Sequence, residues 1–329
     1  MISEQWMAFH LYYAEPHSRL LVESVKPLVQ DLLRHQEISS YFFVRYFDRG
    51  SHIRLRLKGD IEKLETSIKP KLVAHFEKYY REYPSKRAEI QNISTTELPE
   101  EWIPNNTIQI AEYTPDVLRY GGVVGLDIAE HHFYDSSRVV LDIVEVKANS
   151  SYEQMLAVAV QLHISFLYAM GLQKEDAKIL FQHILYDWLL FSYGSHKDDT
   201  TFDSIQHAHL QRKIISAFEE RFEKQQQQII AFHYLVQQAL HDGVEFEQEW
   251  LNAWIRGVKR TAEEFYAAKE RGEIIDPMQS TSPDVQNNLF GKSILGSYVH
   301  MTNNRLGIQN RDEGYLGYLI MRSLDAIQP

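Results

Sequence analysis

Cysteine is absent from the 329-residue chain. That excludes disulfides, thiolate-bound metals and a cysteine nucleophile. An excess of positive charge is missing too: 34 Lys and Arg face 45 Asp and Glu, for a formal net charge of -11. The summed field repels phosphates, which argues against direct nucleic-acid binding and against adsorption to an anionic membrane surface. A local basic site inside an acidic body stays compatible with this and would favour one small anion. Long hydrophobic runs are lacking as well. The most apolar segment, MLAVAVQLHISFLYAMGL (155–172), is short for a membrane span, and Gln161, His163 and Ser165 interrupt it. It predicts a buried helix with His163 as a satisfied core residue, and no stable membrane insertion. The N-terminal MISEQWMAFHLYYAEP shows no basic region followed by an apolar run, so no signal peptide is expected and the predicted location is cytoplasmic. No Walker loop, Rossmann glycine fingerprint, kinase signature, GxSxG elbow, HExxH spacing or repeat of fixed period occurs.

What remains is a globular composition, 44% hydrophobic and 24% charged. Its most pointed stretch is GSHIRLRLKG (50–59), where His52, Arg54 and Arg56 alternate with Ile53, Leu55 and Leu57. Strict alternation is the strand period, and successive strand side chains face opposite ways. The aliphatic set belongs in a core, and the basic set forms a row with no acid in it. An ordinary solvated strand face and an anion site both fit that row. WMAFHLYYA (6–14), SYFFVRYF (40–47) and NTIQIAEYT (106–114) read as further strands, and DRGS (48–51) as a hairpin turn. Residues 17–36 and 60–80 read as helices, with Pro27 and Pro70 each demanding a kink or break. The order β-α-β-β-α-β is the ferredoxin-like split motif. It puts the third strand centrally beside the first, with helices over the Ile53/Leu55/Leu57 face and three charged side chains on the other.

From about residue 116 the pattern is helical, over roughly 124–147, 151–170, 174–192, 205–240, 246–271 and 310–326, with a polar loop at 272–284. The predicted fold class is therefore α+β, with a ferredoxin-like sheet region (1–115) followed by a helical region (116–329). Three segments of the helical region carry candidate chemistry. In EYTPDVLRYGG (112–122), Asp116 and Arg119 are three apart and could share a helical face and pair. In AEHHFYDSSR (129–138), His131 and His132 point to different faces of a helix and make poor joint metal ligands. YVHMTNNRLGI (298–308) holds His300, Asn304 and Arg305 before Gly307, and an ordinary capped helix end also fits it. The chemistry suggested is arginine-rich, with histidine as the proton carrier.

Taken together, SYFFVRYFDRGSHIRLRLKG, YTPDVLRYGG, HHFYDSS and HMTNNRLGI resemble, in order and context, the C-terminal elimination domain of class I lanthipeptide dehydratases, a domain also found as the thiopeptide-type bacteriocin biosynthesis protein. The resemblance runs from Trp6 to the final helix and implies a stand-alone, split-dehydratase member. It implies a lyase that takes a precursor peptide glutamylated on Ser or Thr by a separate glutamyl-tRNA-dependent protein. The lyase removes the α-proton and expels glutamate to leave dehydroalanine or dehydrobutyrine. The implied catalytic positions are Arg54 and Arg56, Asp116 and Arg119, and His300, meeting at a cleft that the helical region closes. Asp116 stands where the family usually has Glu. His52, Arg45, Tyr113, Asn304 and Arg305 are assigned to substrate binding. The α-proton base is open among His300, His52, Tyr113 and a substrate group. No metal and no organic cofactor are implied. A second branch of the same fold joins two dehydroalanines in a formal [4+2] cycloaddition to a pyridine, and a non-catalytic precursor-binding scaffold is a third reading. A homodimer is compatible with each.

Overall fold

In the computed structural model, which describes residues 4–14, 16–86, 102–193, 204–277 and 291–327, the expected α+β order is present. Beyond 277, the polar loop expected over 272–284 lies outside the described residues. By its contacts the chain divides into a sheet unit, residues up to Pro115 with Ser136–Asn149, and a helical unit, Asp116–Asp135 with Ser150–Pro329.

The sheet unit is built on β1 (Glu4–Tyr12), β2 (Ser40–Tyr46), β3 (His52–Asp60) and β4 (Thr107–Ala111), all antiparallel in the order β2-β3-β1-β4. The third strand is thus central and beside the first, as the split motif requires. Phe9, Leu11, Phe43, Ile53, Leu55 and Leu57 share one face and are completely buried. Helices α1 (Lys26–Arg34) and α2 (Lys69–Glu82) supply Val29, Leu32, Leu72 and Phe76 to the same core. Both prolines are accommodated alike. A π turn (Leu21–Val25, Leu64–Ile68) precedes each helix, and Pro27 and Pro70 each occupy the second residue after it. The wider turn accommodates the missing proline N–H without ending the helix. Lys26, nearly buried, bonds Asp142 and Glu145 at 2.7 Å each, which ties α1 to the later part of α3 (Gly122–Val146).

The helical unit continues with α4 (Tyr152–Ala169), α5 (Lys174–Tyr193), α6 (Ser204–Glu223), α7 (Gln226–Asp242), α8 (Glu249–Glu270), α9 (Lys292–Leu306) and α10 (Asn310–Ala326). A reciprocal Ser151–Gln154 capping box starts α4. One expectation needs correction. The single helix over 205–240 is two, parted at 224–225, where Gln225 leaves the helical backbone and its side chain donates to the Arg221 carbonyl (3.0 Å) and the Tyr315 hydroxyl (2.7 Å). The segment 298–308 is the capped helix end that its sequence allows, closing a helix that starts at Lys292.

His163 is the core residue expected: it is buried and bonded to Asn303 at 2.8 Å. His132 and His233 are buried too, His233 between Tyr168 (2.9 Å) and Ser323 (2.8 Å). Burial lowers His163 and His233 to about 4; it lowers His132 to about 3, with a smaller push from Arg305. A folded-state value below the unfolded one means that the unfolded chain takes up protons first as pH falls. The contribution is complete above about 6.5, the unfolded value, and is lost as pH falls toward 4. The thermal midpoint should therefore drop over that window. The stability gap between the parent chain and His233→Gln should narrow as pH falls. A gap of constant size between pH 7 and 4.5 would show that His233 does not titrate this way.

Candidate active site

The register of β3 decides what stands beside the arginines. His10 of β1 and Val44 of β2 flank Arg54; Ala8 and Phe42 flank Arg56; Tyr12 and Tyr46 flank His52; Trp6 flanks Lys58. Directly opposed antiparallel residues share a face. Two cations therefore rest among rings. The Arg54 guanidinium lies 3.5 Å from the Tyr46 ring centre, and that of Arg56 lies 5.1 Å from Phe42 and 5.3 Å from Tyr113. Lys58 extends the row over Trp6 at 5.4 Å. Such ring faces stabilise a partly desolvated cation without neutralising it.

The third member of the row is not charged, which corrects the expectation of three charged side chains. His52 is fully buried, its Nδ1 bonds the Gly50 carbonyl at 2.7 Å, and its Nε2 accepts from Arg54 Nε at 3.1 Å. An imidazole that accepts at Nε2 is neutral. Burial lowers its pKa, against the Gly50 bond and with a further push from Arg54. His10 stacks on it with ring centres 5.1 Å apart and is lowered to about 4 by burial, then by Arg54. The platform thus offers guanidiniums held by neutral imidazoles and aromatic rings, a surface that attracts a carboxylate.

In the helical unit the YGG motif forms a tight turn. Gly121 and Gly122 have φ of 91° and 92°, which other residues rarely adopt. A Cβ on Gly121 would lie 2.8 Å from Ile294. The turn presents Arg119, whose Nε donates to Ser297 Oγ at 3.1 Å. Asp116 accepts from the Arg119 backbone N–H at 3.2 Å, so the contact seen between the two residues is a turn cap, for which a short aspartate suits. Arg119, Ser297, Trp188, Lys292, His183 and His300 line a cavity of about 360 Å³. His300 comes from α9, which Gly307 ends with φ of 84° and bonds from Gly307 N to Asn304 O and from Ile308 N to Asn303 O, both 3.0 Å. That turn sends the chain back into α10 so that His300 Nδ1 meets Glu313 Oε1 at 2.8 Å.

Of the residues that sequence reasoning gathers into one site, Arg45, His52, Arg54, Arg56 and Tyr113 fall in the sheet unit. Asp116, Arg119, His300, Asn304 and Arg305 fall in the helical unit. Within the sheet unit His52, Arg54, Arg56 and Tyr113 come together, but Arg45 does not. It is opposite Ile53 in the register, on the apolar side of β2. Within the helical unit Arg119 and His300 line the same cavity. Arg305 is corrected to a core position: it is fully buried, donates to the Met301 carbonyl at 2.9 Å and lies over the Phe133 ring at 4.8 Å. His131 and His132 do diverge, one exposed beside Glu264 and the other buried on Thr261. Sequence reasoning missed His10, Lys58, Trp188 and Glu313. The strand order alone could have found His10, since pairing β1 with β3 brings it opposite Arg54. Among the described residues no group of His, Asp and Glu is arranged to hold a metal, and no helix is long and apolar enough to cross a membrane.

A family model described as lantibiotic biosynthesis dehydratase C-term matches residues 6–324. The epidermin biosynthesis protein EpiB of Staphylococcus epidermidis is 20% identical over 177 residues, 54% of this chain and 16% of that protein. Among solved structures, the pyridine synthase TbtD from thiomuracin biosynthesis superposes with a TM-score of 0.71 at 18% identity, over 98% of both chains. The tRNA-dependent lantibiotic dehydratase MibB from Microbispora sp. 107891 superposes with a TM-score of 0.57 at 17% identity, over 97% of this chain and 28% of that one. The chain thus spans a small part of EpiB and of MibB and nearly all of TbtD. At these identities the structural likeness is one of fold.

Proposed function

The chain belongs to the lantibiotic biosynthesis dehydratase C-terminal family, and from that premise we propose that it is a glutamate-eliminating lyase. Its substrate is a precursor peptide whose Ser or Thr hydroxyl carries glutamate as an ester, installed by a separate glutamyl-tRNA-dependent protein. A base removes the α-proton. The electron pair of that C–H bond becomes the Cα=Cβ bond, the Cβ–O bond breaks, and glutamate leaves as its carboxylate. No net oxidation occurs. Arg54, Arg56 and Arg119 hold the free carboxylate of the glutamyl ester and stabilise the negative charge that grows on the leaving oxygen. His300 exchanges the proton.

The observation that carries this reading is the pairing of residue types within each unit. Permanently charged guanidiniums stand beside neutral imidazoles on the sheet, and Arg119 shares a cavity with a carboxylate-held histidine among the helices. One observation favours a second reading, pyridine formation from two dehydroalanines: TbtD matches over nearly its whole length and superposes more tightly than MibB. The two readings part on one substrate. Incubated with a synthetic Ser-glutamylated peptide and no ATP or tRNA, the chain should release free glutamate and leave a dehydroalanine, read by mass spectrometry. No release, with conversion of a bis-dehydroalanine peptide instead, would replace the lyase by the cycloaddition enzyme; turnover of neither would leave a binding scaffold.

A further inference from the structure

Behind His300 lies a row of polar side chains that no step above uses. His163 Nε2 is 2.8 Å from Asn303 Oδ1, Asn303 Nδ2 donates to Glu313 Oε2 at 3.2 Å, and Glu313 Oε1 meets His300 Nδ1 at 2.8 Å. Trp188 also donates to Glu313, through the only donor an indole has. His163, Asn303 and Glu313 are all completely or almost completely buried, on three different helices. Groups so placed are costly unless each finds its partner.

We infer that Glu313 is a positioning residue that holds His300 in the tautomer protonated on Nδ1, with Asn303 and His163 fixing Glu313 in turn. The inference rests on the role proposed above for His300, and its direction follows from donor counting. An ionised carboxylate only accepts. Asn303 must then turn its NH₂ toward Glu313 and its oxygen toward His163, and His163 must carry its proton on Nε2. The donors then run toward the carboxylate, His163 to Asn303 and Asn303 to Glu313. His300 also gives its Nδ1–H, so Nε2 is left as the nitrogen that exchanges protons at the cavity it lines. Burial holds the Glu313 carboxyl above its ordinary value, and the bonds from His300, Asn303 and Trp188 offset part of that rise. The competing arrangement is a protonated Glu313 donating to Nδ1, which would leave His300 protonated on Nε2 instead.

Long-range ¹H–¹⁵N correlation spectra of the full chain, labelled on histidine, separate the two. The His300 signals are those lost in His300→Asn. At neutral pH the neutral His300 ring should be the Nδ1–H tautomer and His163 the Nε2–H tautomer. In Glu313→Gln the new amide must offer its NH₂ to one neighbour, so one of these two rings should switch. With glutamylated peptide, kcat of Glu313→Gln should fall about 10–100-fold at unchanged KM, as when a group that orients a reacting side chain is lost, and Glu313→Asp should recover part of it. An Nε2–H tautomer for His300 in the parent chain overturns the inference whether or not Glu313→Gln folds, as do unchanged tautomers for both rings in the variant. A chain that releases no glutamate at all refutes the lyase and leaves the tautomer result to decide this point by itself.

Discussion

His300→Asn should lower glutamate release at saturating peptide by ~10²–10⁴, the usual worth of a general acid or base, and should change the thermal midpoint little. The choice of asparagine follows from the surroundings. His300 Nδ1 is bonded to Glu313, which is buried, so an apolar replacement would take one of its bonds from a buried carboxylate. The asparagine amide N lies about where Nδ1 does and can keep that bond. What it lacks is Nε2. The variant thus removes the proton carrier and keeps the partner satisfied. Turnover within threefold of the parent chain would take His300 out of the chemistry and leave the helical-unit assignment on Arg119.

Arg56→Lys should cost ~10²–10³ in single-turnover glutamate release, the range for losing one preorganised donor to a developing oxyanion. Charge is conserved, so a mere requirement for positive charge predicts near silence. A guanidinium differs in being planar and forked. Here it rests near Phe42 and Tyr113, at 5.1 and 5.3 Å, and can meet both oxygens of a carboxylate, whereas an ammonium is a point charge that does neither as well. The control is the neighbouring residue on the other face. Leu55 is completely buried, and Leu55→Ala should destabilise the fold by ~2–5 kcal/mol as a core truncation, with chemistry per folded molecule retained. Parental release by Arg56→Lys at an unchanged midpoint would return the basic row to an ordinary strand face.

The sequence by itself determined what is local and periodic. Alternation over His52–Leu57 assigned the leucines to the core and Arg54 and Arg56 to the opposite face, because side-chain direction in a strand follows from the backbone alone. The order of elements fixed the ferredoxin-like arrangement, because a split motif leaves one place for the third strand. The glycine after NNRL marked the end of a helix, because that cap requires a left-handed residue. Tertiary structure decided what depends on partners distant in the chain. Arg45 is as basic as Arg54, and only its pairing with Ile53 puts it on the apolar side. Arg305 sits in a motif as polar as any here, and only the packing over Phe133 makes it interior. His52 looked like a third charge, and only burial and the bond from Arg54 make it neutral, since charge at an imidazole is set by its surroundings. Glu313 is one of two acids in the first turn of a helix; the reversal at Gly307 brings that acid, and not its neighbour Asp312, against His300. Periodicity states which way a side chain points, but what it meets there, and therefore its charge and its chemistry, is set by contacts between segments that the local pattern does not encode.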